Sequence, residues 1–155
     1  MLPTPHKEKF NMNDYQCIIA AVDLDPETDS ITIARAKGLT NSQNTKLYLI
    51  HAIESLKTYG PYVYPAISEV KKEIWEQHKK KLVMEAKKQG IATNTLIIER
   101  GTPNIVIIEQ AKKLDADLIV IGAHSRHGLR LLFGSTTDSV LHNTPCDVLA
   151  VHLKK

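Results

Sequence analysis

The stretch Gln16-Cys-Ile-Ile-Ala-Ala-Val22, followed directly by Asp23-Leu-Asp25-Pro26, decides the fold of this chain. Its first part is a short and nearly continuous apolar run, which favours a strand buried on both faces over a helix. Asp25 is a residue type that caps helices, and Pro26 suits the first helical position. The pattern therefore predicts a β-strand that passes directly into an α-helix, which runs to about Thr40.

The same alternation of strand and helix continues to the end of the chain. Apolar runs predict further strands at 46–53, 93–99, 117–122 and 147–152. Helical spacing predicts further helices at 66–89, 104–114 and 135–142. Buried strands that alternate with helices indicate a parallel sheet with helices on both faces. We therefore expect one α/β domain with a doubly wound, five-stranded parallel sheet.

Apolar residues at helical spacing also predict which face of each helix packs against the sheet. On the first three helices these residues are Ile31, Ala34 and Gly38, then Ile67, Val70, Ile74, Leu82 and Ala86, then Ile105, Ile108, Ala111 and Leu114. The lysines of the second helix fall mostly on its other face. We interpret them as a solvated surface rather than as a patch for nucleic acid.

Length and composition limit the class of protein. The chain has 155 residues, 43% of them hydrophobic and 24% charged, with a formal net charge of +3, as expected for one globular domain. Aromatic residues make up only 5%, which disfavours a stacking platform for nucleic acid. Cys17 and Cys146 lie in apolar stretches without metal-type spacing, so we expect buried thiols and a cytoplasmic protein.

The first residues differ in character from the rest of the chain. Residues 1–13 are polar and contain Pro3 and Pro5, and they lack the apolar segment of a signal peptide. We interpret them as a flexible N-terminal arm, with the folded domain spanning residues 14–155. No apolar run approaches the length of a membrane span, so no membrane partner is expected.

The carboxyl end of the first strand carries acidic residues. In an open sheet of order 3-2-1-4-5, ligands bind beyond the ends of strands one and four, where the strand order reverses. Asp23 stands at the tip of strand one, where it could accept a hydrogen bond from a ribose hydroxyl or hold a hydrated cation. The alternative is that Asp23 and Asp25 both serve the following helix, and for Asp25 this capping role is favoured.

Small residues follow strand four, in Gly122-Ala-His-Ser-Arg-His-Gly128 and Gly134-Ser-Thr-Thr137. Small residues let main-chain N–H groups approach a ligand, and Gly134-Ser135-Thr136 opens a helix whose N-terminus suits phosphate. Arg126 could add a positive charge. The alternative is an ordinary capped helix that follows a flexible loop.

Other sites find little support in the sequence. Phosphate-binding P-loop, dinucleotide-binding and nucleophile-elbow motifs are absent from the sequence. His124 and His127 have no evident third metal ligand, so no metal site is expected. His51 and His152 lie in apolar strands, where histidines with satisfied hydrogen bonds are more common than catalysts.

Motifs along nearly the whole chain, from about Tyr15 to Leu153, resemble those of the universal stress protein family. They are Ile18-Ile-Ala-Ala-Val-Asp23, Leu49-Ile-His-Ala52, Gly101-Thr-Pro103, Asp117-Leu-Ile-Val-Ile-Gly122, Gly134-Ser135 and Pro145-Cys-Asp-Val-Leu-Ala-Val151. The resemblance implies strand order 3-2-1-4-5 and a homodimer formed through the last strand, residues 147–153.

Many members of that family bind ATP through the pattern Gly-x-x-Gly, nine residues, then Gly-Ser/Thr. Gly122 and Gly134-Ser135 match it, whereas Ser125 replaces the second glycine and eight residues, not nine, follow it. The resemblance implies that Asp23, Ala52 and the strand end around Val22 contact the adenosine. It also implies that Gly122, Ser125, Gly134, Ser135 and Thr136 hold ribose and phosphates. The expected site also includes Ala21, Ile121, His124, Arg126 and Gly128.

Three functions follow from this reading. The leading hypothesis is a regulatory protein of the stress response that binds ATP, ADP or AMP, with Mg²⁺ only alongside the nucleotide. The shorter loop could close around fewer phosphates, so AMP or ADP could bind as well as ATP. The alternatives are a dimeric interaction module without a ligand and a slow ATPase. No residue is well placed as a general base, and no catalytic residue is predicted.

Overall fold

Five strands and four α-helices alternate along the chain. A computed structural model describes residues 15–41, 44–55, 64–124 and 134–154. In chain order the elements are β1 Cys17–Ala21, α1 Pro26–Gly38, β2 Lys46–Ile53, α2 Tyr64–Lys88, β3 Leu96–Arg100, α3 Pro103–Lys113, β4 Leu118–His124, α4 Ser135–Asn143 and β5 Asp147–Leu153. The predicted arm, residues 1–13, lies outside the described residues.

The strands form one parallel sheet in the order β3-β2-β1-β4-β5, which confirms the expected fold. The central strand β1 pairs with β2 on one side and β4 on the other, so that Ala21 lies opposite both Ile50 and Ile121. From β1 the sheet grows to one side with β2 and β3, and to the other side with β4 and β5. The reversal of strand order therefore lies between β1 and β4, whose carboxyl ends share one edge of the sheet.

The two faces of the sheet carry separate hydrophobic cores. Alternate residues of β1 point to opposite faces: Ile18 and Ala20 pack with Ile33 of α1 and Leu82 of α2. Ile19, on the other face, joins the layer formed by α3 and α4, with Ile107, Ile119 and Val140. Apolar residues on both sides of each strand explain why the strands appear as unbroken apolar runs in the sequence.

Two sequence predictions were wrong in detail, the bounds of the third strand and the burial of Cys146. The third strand begins at Leu96, because Thr93–Thr95 form a short 3₁₀ turn, and it ends at Arg100. Cys17 is buried but Cys146 is only half-buried; both are free thiols, and burial raises the pKa of each. None of the helices in the described part of the chain is long and apolar enough to cross a membrane.

The predicted faces of three helices also need correction. Ile31, Val70 and Ile105 are exposed, each by more than two fifths of its surface, although each was predicted to face the sheet. On α1 the predicted Ala34 and Gly38 are exposed as well. The residues that α1 buries instead are Thr28, Asp29, Thr32, Ile33 and Ala36. Three of these five are polar, so hydrophobic spacing placed the buried face on the wrong side of α1.

Candidate functional site

A cavity of 320 Å³ opens at the carboxyl ends of β1 and β4. Ten of the thirteen residues predicted for the site line it, namely Ala21, Val22, Asp23, Ala52, Ile121, Gly122, His124, Gly134, Ser135 and Thr136. The other three, Ser125, Arg126 and Gly128, lie outside the described residues. The residues brought together come from four separate segments, as the topology of the sheet requires.

The turn between β1 and α1 supplies the carboxylate that faces this cavity. Asp23 Oδ1 accepts hydrogen bonds from the main-chain nitrogen of Asp25 at 3.0 Å and from the Thr28 hydroxyl at 3.4 Å. Its Oδ2 lies 4.0 Å from His124 Nε2, and 60% of the Asp23 side chain is exposed. Leu24 occupies the left-handed region with φ of 68°. Asp23 thus shapes the turn with one oxygen and presents the other toward the cavity.

Asp25 performs the capping role predicted for it. Its side chain accepts a hydrogen bond from the main-chain nitrogen of Glu27 at 3.1 Å, at the start of α1. Pro26 follows as the first helical residue. Asp25 is exposed and does not line the cavity, which separates its role from that of Asp23.

Asp29 is a second carboxyl group in the cavity wall, and the sequence analysis missed it. Only 3% of the residue is exposed, and its Oδ1 accepts a hydrogen bond from the main-chain nitrogen of Asp23 at 3.1 Å. Burial raises the pKa of Asp29 to about 7; the neighbouring Asp23 charge adds to this effect and main-chain donors oppose it. The only signal in the sequence is that Asp29 is the fourth acid at alternate positions after Asp23, Asp25 and Glu27.

The N-terminus of α4 forms the opposite side of the cavity. Gly134 is its capping residue, and no side chain in the described part of the chain caps this helix. A Cβ atom built on Gly134 would meet no atom of the described residues within 4 Å. The Thr137 hydroxyl donates to the Gly122 carbonyl at 2.9 Å and fixes α4 to β4. The first N–H groups of a helix lack intrahelical partners and attract anions.

Gly122 lies in close contact with a side chain of β5 and one of α1. A Cβ atom at this position would lie 2.5 Å from Leu153 Cδ1 and 3.3 Å from Thr32 Oγ1. Leu153 belongs to β5 and Thr32 to α1, so the absent side chain of Gly122 lets three elements approach one another. The sequence analysis assigned this glycine only to the approach of a ligand.

The histidines near the cavity differ in their contacts. His51 is buried, and its Nδ1 lies 2.9 Å from the Val22 carbonyl oxygen, so this nitrogen is the donor. Its Nε2 then accepts from Nδ1 of His78 on α2, at 2.8 Å. Burial lowers the pKa of both histidines, which favours the neutral rings. His51 is therefore the satisfied core histidine that was predicted, whereas His152 on β5 is exposed.

His124, at the end of β4, lines the cavity. Its Nδ1 is buried and has no hydrogen-bond partner among the described residues. Across the described ranges, no three His, Cys, Asp or Glu side chains lie together as a metal site would require. His127, the other histidine weighed as a metal ligand, lies outside those ranges.

Comparison with known proteins places this architecture in a family. The model of the universal stress protein family matches residues 14–152. Universal stress protein A homolog 2 of Coxiella burnetii is 41% identical over 92% of this chain and 99% of its own length. A putative universal stress protein of Staphylococcus aureus is 30% identical over 93% of this chain and 88% of its own length.

Solved structures agree with the sequence comparisons. The hypothetical protein MJ0577, whose structure served to assign its biochemical function, superposes with a TM-score of 0.75 at 26% identity, over 91% of this chain and 98% of its own. A universal stress protein in complex with cAMP has a TM-score of 0.51 at 24% identity, over 89% of this chain and 97% of its own. The chain belongs to the universal stress protein family.

Proposed function

We propose that this protein is a regulatory universal stress protein that binds an adenine nucleotide, ATP, ADP or AMP, in the cavity between β1 and β4. One observation carries the proposal. The cavity places the Asp23 carboxylate on one side and the open N-terminus of α4, at Gly134, on the other. The carboxylate can accept a hydrogen bond from a hydroxyl group, and the helix N-terminus can donate hydrogen bonds to an anion. A nucleotide has a hydroxyl-bearing ribose at one end and anionic phosphates at the other.

Apolar residues between the two polar ends support the binding of a base. Ile50 and Ala52 come from the end of β2 and Ile121 from β4, and Ile107 of α3 also lines the cavity. Small-molecule sites typically combine such apolar walls with a few polar groups that fix orientation. In the proposed pose the adenine lies against the ends of β1 and β2, and Asp23 accepts from a ribose hydroxyl.

The phosphates are proposed to lie at the start of α4. The main-chain N–H groups of Ser135 and Thr136 begin the helix, and no described residue lies within 4 Å of where a Cβ atom of Gly134 would be, which leaves room for phosphate oxygens among those residues. Ser125, Arg126 and Gly128 are proposed to complete the phosphate contacts. Mg²⁺ is proposed to enter only with the nucleotide, since the described residues offer no metal-ligand cluster.

The solved universal stress protein that holds cAMP shares the fold of this chain. At 24% identity that likeness extends to the fold alone, so the argument for a nucleotide rests on the residues of this cavity. Slow ATP hydrolysis is an alternative in which His51 is not a free general base, because both of its ring nitrogens are already hydrogen-bonded. An interaction module without a ligand is the remaining alternative.

Titration calorimetry tests the proposal directly. The wild-type protein is titrated with ATP, ADP and AMP, with and without Mg²⁺, after any copurified nucleotide has been identified by mass spectrometry of the denatured protein. We expect saturable binding of at least one nucleotide with a stoichiometry of one per chain. No heat with any of the three at millimolar concentration would favour the interaction module.

We also propose that the protein forms a homodimer through β5. Among the described strands this one is at the edge of the sheet and pairs with β4 alone, and an unbroken apolar edge invites pairing with another strand. Val148 and Ala150 are half-buried on this edge. Light scattering should give a dimer for the wild type and a monomer for Val148→Pro or Val148→Lys with retained circular dichroism. A wild-type monomer at micromolar concentration would contradict the proposal.

A further inference from the structure

Asp29 holds the end of β1 in place beside Asp23, the residue proposed to bind the ribose. Its Oδ1 accepts from the main-chain nitrogen of Asp23, while the neighbouring Val22 carbonyl accepts from His51 on the opposite side. Val22 is further fixed by its main-chain bond to the Ile50 carbonyl at 2.9 Å. The two side chains that hold this tip, Asp29 and His51, both line the cavity. Asp29 is therefore in a position to affect Asp23 through the main chain.

The arrangement also places two carboxyl groups side by side. Asp23 is largely exposed, whereas Asp29 is almost wholly buried, so a proton shared by the pair resides on Asp29. If Asp29 lost this proton, two like charges would face a cavity into which an anionic nucleotide must fit. A neutral Asp29 leaves a single carboxylate, and its Oδ1 still accepts from the Asp23 nitrogen.

We propose that Asp29 is a positioning residue of the nucleotide site, a neutral acid that orients Asp23 and keeps the cavity at one negative charge. The inference rests on the proposed function, since it concerns how the nucleotide is accepted. It adds that binding of an anionic nucleotide is coupled to retention of a proton by Asp29.

The sign of the pH dependence follows from this coupling. The pKa of Asp29 in the free protein is raised to about 7, so the group loses its proton as the pH rises through neutrality. An anionic ligand raises that pKa further, because it disfavours a second negative charge nearby. Binding therefore takes up a proton, and affinity falls with rising pH. One pKa unit of such coupling corresponds to about a tenfold change in affinity.

Other ionisable groups lie near Asp29 and need a control. The cavity contains Asp23, His51 on β2 and His124 on β4, while β5 contributes Leu153, which does not titrate. Asp25 and Glu27 lie on the same turn and are exposed. The nucleotide phosphates titrate as well. All of these groups remain in Asp29→Asn, so the difference between wild type and this variant isolates Asp29.

The experiment is calorimetry with ATP at several pH values from about pH 6 to about pH 8.5. Wild-type affinity should fall about tenfold more than that of Asp29→Asn across this range. The variant should bind more tightly than wild type at the alkaline end, because its amide stays neutral and still accepts from the Asp23 nitrogen. Asp25→Asn, which removes an exposed acid of the same turn, should keep the wild-type slope.

The possible results separate the inference from the proposed function. If wild type binds none of the three nucleotides, the proposed function fails and this inference fails with it. If wild type binds ATP but Asp29→Asn has the same pH profile, the inference alone is overturned. A loss of all binding in Asp29→Asn, with the folded state retained, would also contradict it, because a neutral acceptor would then not suffice.

Discussion

Gly122 and Gly134 belong to one glycine pattern in the sequence, yet the structure surrounds them differently. A Cβ atom on Gly122 would lie 2.5 Å from Leu153 Cδ1 of β5, whereas one on Gly134 would meet none of the residues that the structure describes within 4 Å. The first glycine lets β4, β5 and α1 pack closely. The second leaves room beside the N-terminus of α4. The same residue type in one motif therefore serves the protein's own packing at one end and an accessible cavity at the other.

Gly122 and Gly134 match the same sequence pattern, but their surroundings predict a role in stability for the first and in binding for the second. Substitution of Gly122 should therefore act mainly on the free energy of unfolding. Substitution of Gly134 should act mainly on nucleotide affinity. Each of the two variants therefore serves as the control for the other.

The largest effect is expected for Gly122→Val. The added side chain would force Leu153 and Thr32 apart, and overpacking of this kind costs about 2 kcal/mol of unfolding free energy. Urea denaturation measures the change. The double variant Gly122→Ala with Leu153→Ala should be less destabilised than the sum of its single substitutions, because the shorter side chain removes the collision. Full additivity would show that Leu153 is not the cause.

Gly134→Val should lower the free energy of unfolding less than Gly122→Val does, but it should clearly weaken nucleotide binding. The new side chain extends into the open space at the start of α4, where phosphate is proposed to bind. Nucleotide affinity should fall tenfold or more, about 1.4 kcal/mol or beyond, in calorimetry. Unfolding free energy should fall by about 1 kcal/mol at most, since only the helix cap changes. Wild-type affinity in this variant would place the phosphates elsewhere.

The fold could be predicted from the sequence because the strands are buried on both faces and so appear as apolar runs. The second strand was predicted with its observed bounds, and Pro26 and Gly90 mark the ends of two helices. Gly90 has a φ of 67°, a conformation that glycine adopts without strain. The beginning of the third strand could not be foreseen, since Thr93–Thr95 are compatible with a strand but form a 3₁₀ turn.

The lining of the cavity was harder to predict than the fold. Asp23 and Gly134 were found because the carboxyl ends of strands can be located from topology. Thr28, Asp29 and Thr32 were missed because they are polar residues on the buried face of α1, where hydrophobic spacing does not reveal them. His78 was missed because its contact with His51 joins α2 to β2 across 27 positions of the chain. Such contacts depend on tertiary packing, which no local pattern encodes.

The smallest effect is expected at Asp23, where an exposed carboxylate is proposed to accept one hydrogen bond from the ribose. Asp23→Ala should lower nucleotide affinity by about 1 kcal/mol, the contribution of one hydrogen bond, in calorimetry. Because Asp23 Oδ1 also accepts from the Asp25 nitrogen, part of any loss in this variant could come from a loosened turn.

Asp23→Asn is the matched variant, since its amide oxygen can still accept from Asp25 and from a hydroxyl group. If Asp23 acts as an acceptor, Asp23→Asn should bind nearly as well as wild type. If the negative charge holds a hydrated cation instead, Asp23→Asn should bind as weakly as Asp23→Ala. Both variants should then bind more weakly than wild type only when Mg²⁺ is present.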